Sequence, residues 1–258
     1  PISLMSVIVQ YDPAGRMGNR MFQYAFGYIL SKLKNCEFFC GDLPNFNIKG
    51  NIYTSRFNKP ITTRSFGNQY VDMESLINHD GDIIVNSFLQ KSSLYVDYRD
   101  ELRALFNIKS DIINKDDLVV HIRETDYTLV NAFLGYDFYR SLITSSKFDN
   151  VIIVTDNSNC ETVKRLIDDG CMLSTEGVVN TFKVCSDSRG MQDFNTLMYS
   201  ENIAISQSSF SWWAAFLGNH KQIVFPFKHD TDWWPISPDK DDIDLYFDFK
   251  NITSKYVV

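Results

Sequence analysis

Apolar positions fall into two patterns along the chain. Short unbroken or nearly unbroken runs stand at Leu4 to Val9, Ile83 to Val85, Leu118 to Arg123, Val151 to Thr155, Asn202 to Ser206 and Gln222 to Phe225, the last closed by Pro226. Runs of that length are too short for helices and predict buried strands of a parallel sheet. Between them apolar residues recur every third or fourth position. Phe22, Ala25, Phe26, Ile29 and Leu33 predict one buried face of a long helix, and further helices are expected over 98–106, 137–145, 161–169 and 209–217. From about residue 115 strand and helix alternate regularly, which predicts a doubly wound parallel sheet. The expected fold is therefore α/β, with two Rossmann-like halves facing a cleft: residues 1–113 and residues 114–258. Residues 40–80 are rich in Asn, Gly, Thr and aromatics and read as loop-heavy.

Three segments put polar side chains where predicted strands end. The first is Gly15-Arg16-Met17-Gly18-Asn19, between a strand and the long helix. Backbone amides, a guanidinium and a carboxamide at the mouth of a parallel sheet suit a phosphate; glycines serving only a tight turn are the competing reading. The second runs from Leu118 to Tyr127. Side chains alternate along a strand, so His121 and Arg123 share one face while Ile122 and Glu124 take the other. A guanidinium at a strand's carboxyl end can hold a pyrophosphate bidentately. The competing reading is a structural Arg–Asp pair beside a core histidine. The third segment, Ser206 to Trp213, ends a strand and begins a helix. Ser208 or Ser209 can cap that helix, and the same helix start can receive an anion.

Together the three segments resemble the α-1,2-fucosyltransferases of bacterial and eukaryotic type. That family begins with Gly-x-x-Gly-Asn-x-Met-Phe-Gln-Tyr-Ala, matched here by Gly15, Gly18, Asn19 and Met21 to Ala25. Its central His-x-Arg-Arg-x-Asp motif is met by His121, Arg123 and Asp126, with Glu124 in place of the second Arg. Its Ser-Ser-Phe-Ser-Trp-Trp segment is Ser208 to Trp213. Order and spacing agree over residues 5–226, although residues 40–110 show little that aligns. The protein O-fucosyltransferases are more distantly similar in the Gly-Arg-x-Gly-Asn loop, and they keep only the first Arg.

The resemblance implies a GT-B-like fold and transfer of fucose from GDP-fucose to a glycan hydroxyl, with inversion and in α-1,2 linkage. The N-terminal half would serve the acceptor and the C-terminal half the donor. Arg123 would neutralise the leaving diphosphate with Ser208, Ser209 and the helix amides, Phe210 would belong to the donor-binding site, and Arg16, Gly18 and Asn19 would close on the same phosphates. His121 would contact the nucleoside side, and Asp193 would bind the base or support its pocket. Asp126 and Glu124 are both candidates for the base that takes the acceptor proton. The acidic residue at 124 keeps two alternatives open: another GDP- or UDP-sugar as donor, and a catalytically silent nucleotide-sugar or carbohydrate binder.

Composition narrows the partners. A net charge of −7 over 258 residues argues against nucleic-acid binding, which needs a basic face. Hydrophobic residues at 44% supply an ample core. The five cysteines, at 36, 40, 160, 171 and 185, contain no C-x-x-C pair and read as reduced thiols of a cytoplasmic protein. No apolar run approaches the ~20 residues of a membrane span, and no targeting pattern is visible. Asp230-Thr231-Asp232 and Asp242-Ile243-Asp244 sit in an acidic tail and read as solvated turns, and the four histidines lack ligand spacing. No metal or cofactor is therefore expected beyond the nucleotide-sugar substrate. Trp212 and Trp213 are assigned to the scaffold, and Trp233 and Trp234 to a wall near the cleft. The Asn251-Ile252-Thr253 sequon is read as chance.

Overall fold

The computed structural model describes residues 5–13, 15–67, 70–109, 111–125, 133–174, 188–226, 245–247, 249 and 253–257. The chain forms two compact units, Pro1–Asn107 and Ile108–Val258. Both are α/β with wholly parallel sheets, compatible with two Rossmann-like halves.

In the first unit, β1 (Ser6–Val9) leads into α1 (Met17–Lys34) and β2 (Glu37–Phe39). Then come β3 (Ile61–Thr62), α2 (Met73–Asn78), β4 (Ile83–Val85) and α3 (Arg99–Leu105), and the sheet order is β2-β1-β4-β3. All of β1 is buried, as a strand covered on both faces should be. α1 approaches the sheet closely at Gly27, where a Cβ would come 2.5 Å from Val9 Cγ2 and 2.9 Å from Phe38 Cε2. The expected single apolar stripe understates this helix, since every residue from Met21 to Gly27 is buried. The sheet covers one side, while Tyr95 and Phe106 pack against Phe22 and Tyr24. Leu33 was expected in the buried face but is 45% exposed. It belongs to the last turn, where Lys32, Lys34 and the left-handed Asn35 end the helix and Cys36 N–H returns to Ser31 O.

The loop-rich stretch over residues 40–80 is anchored by one carboxylate. Asp82, fully buried at the amino end of β4, accepts from Ser6 N (3.0 Å), Tyr53 Oη (2.9 Å) and Asn58 N (2.8 Å). This links β1, β4 and the aromatic segment in which Tyr53 stacks on Phe57. Lys34 similarly donates to the carbonyls of Leu76, Ile77 and His79, ending the short α2.

The second unit runs β5 (Asn114–Ile122), α4 (Tyr136–Ser146), β6 (Val151–Thr155), α5 (Glu161–Asp168), β7 (Met172–Leu173), α6 (Ser188–Met198), β8 (Ser200–Ala204), α7 (Ser209–Leu217), β9 (Gln222–Pro226) and β10 (Thr253–Val257). The sheet order is β10-β9-β8-β5-β6-β7. Counted from β5 as the first strand, that is the doubly wound order 3-2-1-4-5-6. Leu118, Val120 and Ile122 pack with Tyr139, Leu142, Val163 and Leu166 of α4 and α5. His121 points to the opposite face, where its ring meets Phe210 of α7. Trp212 and Trp213 are fully buried, Trp212 donating to Leu245 O, as the scaffold assignment requires. Trp233, Trp234, both Asp-x-Asp segments and Asn251-Ile252 lie outside the described residues. Among the described residues no helix is long and apolar enough to cross a membrane.

Replacing Asp82 by Ala leaves three donors at the sheet edge without their acceptor. The expected loss is about 2–5 kcal/mol of stability, measured as a lowered urea midpoint, and an unchanged midpoint would remove Asp82 from this role.

Candidate functional site

Ligands of open parallel sheets bind beyond the carboxyl ends of the strands, where the winding reverses and successive loops diverge to opposite faces. In the second unit that place lies between β5 and β8. Two of the singled-out segments end there. His121 is the penultimate residue of β5, and its Nδ1 is 2.7 Å from the hydroxyl of Ser206, just past β8. His121 is only 3% exposed, and its pKa is pushed down to about 3, first by burial and then by Arg123. It is therefore a neutral imidazole, able to orient a ligand by hydrogen bonding but supplying no positive charge.

Beyond Ser206 the chain turns into α7. Ser208 occupies the N-cap position with extended backbone, but its side chain makes no capping bond. The expected cap is replaced by Ser211, whose hydroxyl accepts from Ser206 N and lies within hydrogen-bond distance of Ser206 O and Ser208 O. That hydroxyl holds the turn from within the helix, and the positive end of α7 stays beside Ser206. Ser209 and Phe210 are half-buried at the helix start. Phe210 touches His121 on one side and Phe194 of α6 on the other, each with ring centroids 5.5 Å apart. Asp193 precedes Phe194 on α6 and is half-buried.

Arg123 and His121 part company at the end of β5. His121 engages β8, whereas Arg123 Nε lies 3.4 Å from Asp156 Oδ2 at the end of β6. Thr125 donates its hydroxyl to the same oxygen. The contacts of the structural alternative, an Arg–Asp pair and a buried histidine, are thus both made, at the carboxyl edge of the sheet.

Glu124 turns to the other face, as strand alternation requires. It is 6% exposed and receives a hydrogen bond from the Cys160 thiol, which burial above all pushes up to about 12. Its carboxylate also helps keep Tyr139, whose hydroxyl reaches His121 O, well above the usual phenol range, after the larger effect of burial. Glu124 Oε1 and Asp156 Oδ1 are buried with no hydrogen-bond partner among the described residues. Asp126 lies outside the described residues.

The first unit repeats the geometry. Its winding reverses between β1 and β4, and the loop after β1 carries Arg16, Gly18 and Asn19 into α1. Gly15 N–H bonds Asp12 O at 2.8 Å to close the turn. Fully buried Gln23 grips the loop through Asp12 N and Gln10 O, both at 3.3 Å. Arg16 sits half-buried at the N-cap of α1, whose first turn has no acidic residue, and Gly18 is buried behind it. Asn19 Oδ1 accepts from Gln90 Nε2 at 2.9 Å, joining the first turn of α1 to the loop after β4.

Sequence reasoning missed Ser206, Ser211, Asp156, Thr125 and Gln90 as working parts. Asp156 directly follows one predicted strand and Ser206 ends another, so their carboxyl-end positions could have marked them. A shallow cavity of about 430 Å³ lies at the opposite edge, lined by Lys115, Glu201, Asn202 and Lys221 at the amino ends of the strands. Helix C-termini, not N-termini, arrive at that edge, so it offers an anion little. Among the described residues, no three His, Cys, Asp or Glu side chains gather as a metal site. Cys36, Cys40, Cys160 and Cys171 are free thiols. No protein-family model matches the chain, and no curated protein sequence matches it.

The His121 imidazole should show no titration between pH 5 and 8 by NMR. Its folded pKa of about 3 lies below the unfolded value, so the unfolded chain takes up the proton first as pH falls. The stabilisation is whole above ~6.5 and declines below it by up to about 1.4 kcal/mol per pH unit. His121→Gln should flatten that slope in urea titrations, and an equal slope in both proteins would refute the assignment.

Proposed function

We propose that the protein is an inverting glycosyltransferase of GT-B-like architecture, with GDP-fucose as its foremost donor and a glycan hydroxyl as its acceptor. The observation that carries this reading is the 2.7 Å contact between His121 and Ser206. It joins two of the resembling segments, 85 residues apart in sequence, where a doubly wound sheet receives ligands. The second unit would hold the donor and the first the acceptor.

In this reaction the acceptor oxygen attacks the anomeric carbon, and the carbon–oxygen bond to the diphosphate breaks with its electron pair. The diphosphate gains negative charge as it leaves. Arg123 and the amino end of α7, with Ser208 and Ser209, neutralise that charge. Arg16, Gly18 and Asn19 serve the same phosphates in this reading. Neutral His121, backed by Phe210, orients the nucleoside side, and Asp193 serves the base-binding end. The acceptor proton passes to a carboxylate. Glu124, buried and bonded by Cys160, is poorly placed for that task, so Asp126 takes it. The proposed transfer is metal-independent.

A second reading has specific support. Arg123 is already paired with Asp156, and an acid stands at position 124, as a silent nucleotide-sugar binder could tolerate. Turnover separates the two. Incubation with GDP-fucose and a glycan acceptor should release GDP, undiminished by chelator. Arg123→Ala should lower that rate by about 10²–10³-fold, the usual cost of one transition-state donor. Binding without turnover would select the silent reading, and turnover with a UDP-sugar alone would replace the donor.

A further inference from the structure

We propose that Asp156 is a positioning residue for Arg123, an inference that rests on the diphosphate role of that arginine. Ile122 of β5 is paired with Thr155 of β6, so the strand register sets Asp156 opposite Arg123 where the two strands leave the sheet. Arg123 Nε lies 3.4 Å from Asp156 Oδ2, with side chains only 12% and 22% exposed. A guanidinium is planar, so fixing Nε fixes the plane in which its remaining donors lie. Thr125 donates to the same Oδ2, drawing the chain after β5 onto the same carboxylate.

The backbone that carries Asp156 is itself held. Thr155 Oγ1 accepts from Asn157 N at 3.1 Å, Asn157 Oδ1 accepts from Asn159 N at 3.1 Å, and Cys160 N–H returns to Asn157 O at 3.4 Å. The turn leading into α5 is thereby closed by three bonds, and Asp156 stands at its first position. A carboxylate on so fixed a turn can aim a neighbouring side chain as well as neutralise it.

Positioning and mere charge pairing predict opposite signs. If Asp156 only competes for the guanidinium, removing it frees positive charge and a diphosphate binds more tightly. If it aims the guanidinium, removing it loosens Arg123 and weakens binding. Calorimetric titration of the whole protein with GDP, and with UDP in parallel, tests this. Asp156→Ala should weaken binding about 10-fold, and Asp156→Asn, which keeps an acceptor for Nε, about 3-fold. In an Arg123→Ala background, Asp156→Ala should cost nothing more, whereas a general structural defect would add its full effect. Tighter or unchanged binding by Asp156→Ala, or additive losses, overturns the inference. Should Asp156→Ala fail to fold, Asp156→Asn decides by the same sign. If Arg123→Ala binds both nucleotides as the wild type does, it is the diphosphate reading that fails.

Discussion

Parallel strands cannot be joined by hairpins, so every connection in both units crosses the sheet with a helix or a long loop. Right-handed crossovers put helices on one face while the chain winds outward and on the other when it winds back. In the second unit the chain goes from β5 outward to β7, returns to lie beside β5 as β8, and continues to β10. Helices α4 and α5 therefore cover the face holding Leu118, Val120 and Ile122, and α7 meets His121 on the other. Between β5 and β8 the winding reverses, so the loops that follow them diverge to opposite faces. The first unit obeys the same constraint between β1 and β4. Side-chain hydrogen bonds join the elements on either side of each point, Gln90 to Asn19 in the first unit and His121 with Ser206 in the second.

Burying polar groups at such an edge costs stability unless each finds a partner on another strand. The second unit meets that cost with pairs that link strand ends. His121 on β5 takes Ser206 beyond β8, while Arg123 and Thr125 beyond β5 take Asp156 beyond β6. Glu124 faces Cys160 at the start of α5. Three neighbouring strand ends are thus joined by side chains. The lacing also sorts the charges. The imidazole is neutral and the acid at position 124 is turned to the far face, which leaves Arg123 as the cation these strand ends carry among the described residues.

Strands β1, β4, β5, β6, β8 and β9 were legible because central parallel strands must be apolar on both faces. Strands β2, β3, β7 and β10 were not. β2, β7, β3 and β10 are edge strands, and β3 and β7 are only two residues long, so neither periodicity nor run length has room to show. Helix α6 also went unpredicted, and Gly190 in its first turn weakens the helical signal there. The site was legible in its motif residues but not in its supports. Sequence alternation placed Glu124 opposite Arg123 correctly, yet it could not show that Arg123 leans along the edge to Asp156. That lean is set by the register between β5 and β6, a tertiary quantity. Ser211 likewise looked like one more motif serine until its hydroxyl was found holding the β8–α7 turn.

The same strand order serves dinucleotide-binding sheets, so the order alone does not choose a ligand; the chemistry at the strand ends does. Dinucleotide sheets follow their first strand with a glycine-rich turn, so that backbone amides meet the pyrophosphate, and end their second strand with a carboxylate free to bind ribose. Here β5 is followed by Arg123-Glu124-Thr125, with no glycine, and one oxygen of the carboxylate after β6 is taken by Arg123 and Thr125. In the proposed reading charge recognition moves from backbone to side chain on the β5 side, while on the β8 side the amino end of α7 remains beside Ser206. A cation anchored on one strand and a helix dipole on another suit a group whose negative charge grows during reaction, because both are oriented before the charge appears and neither must reorganise to meet it. A cofactor whose pyrophosphate is only a handle gains nothing from that arrangement, whereas a departing nucleoside diphosphate does.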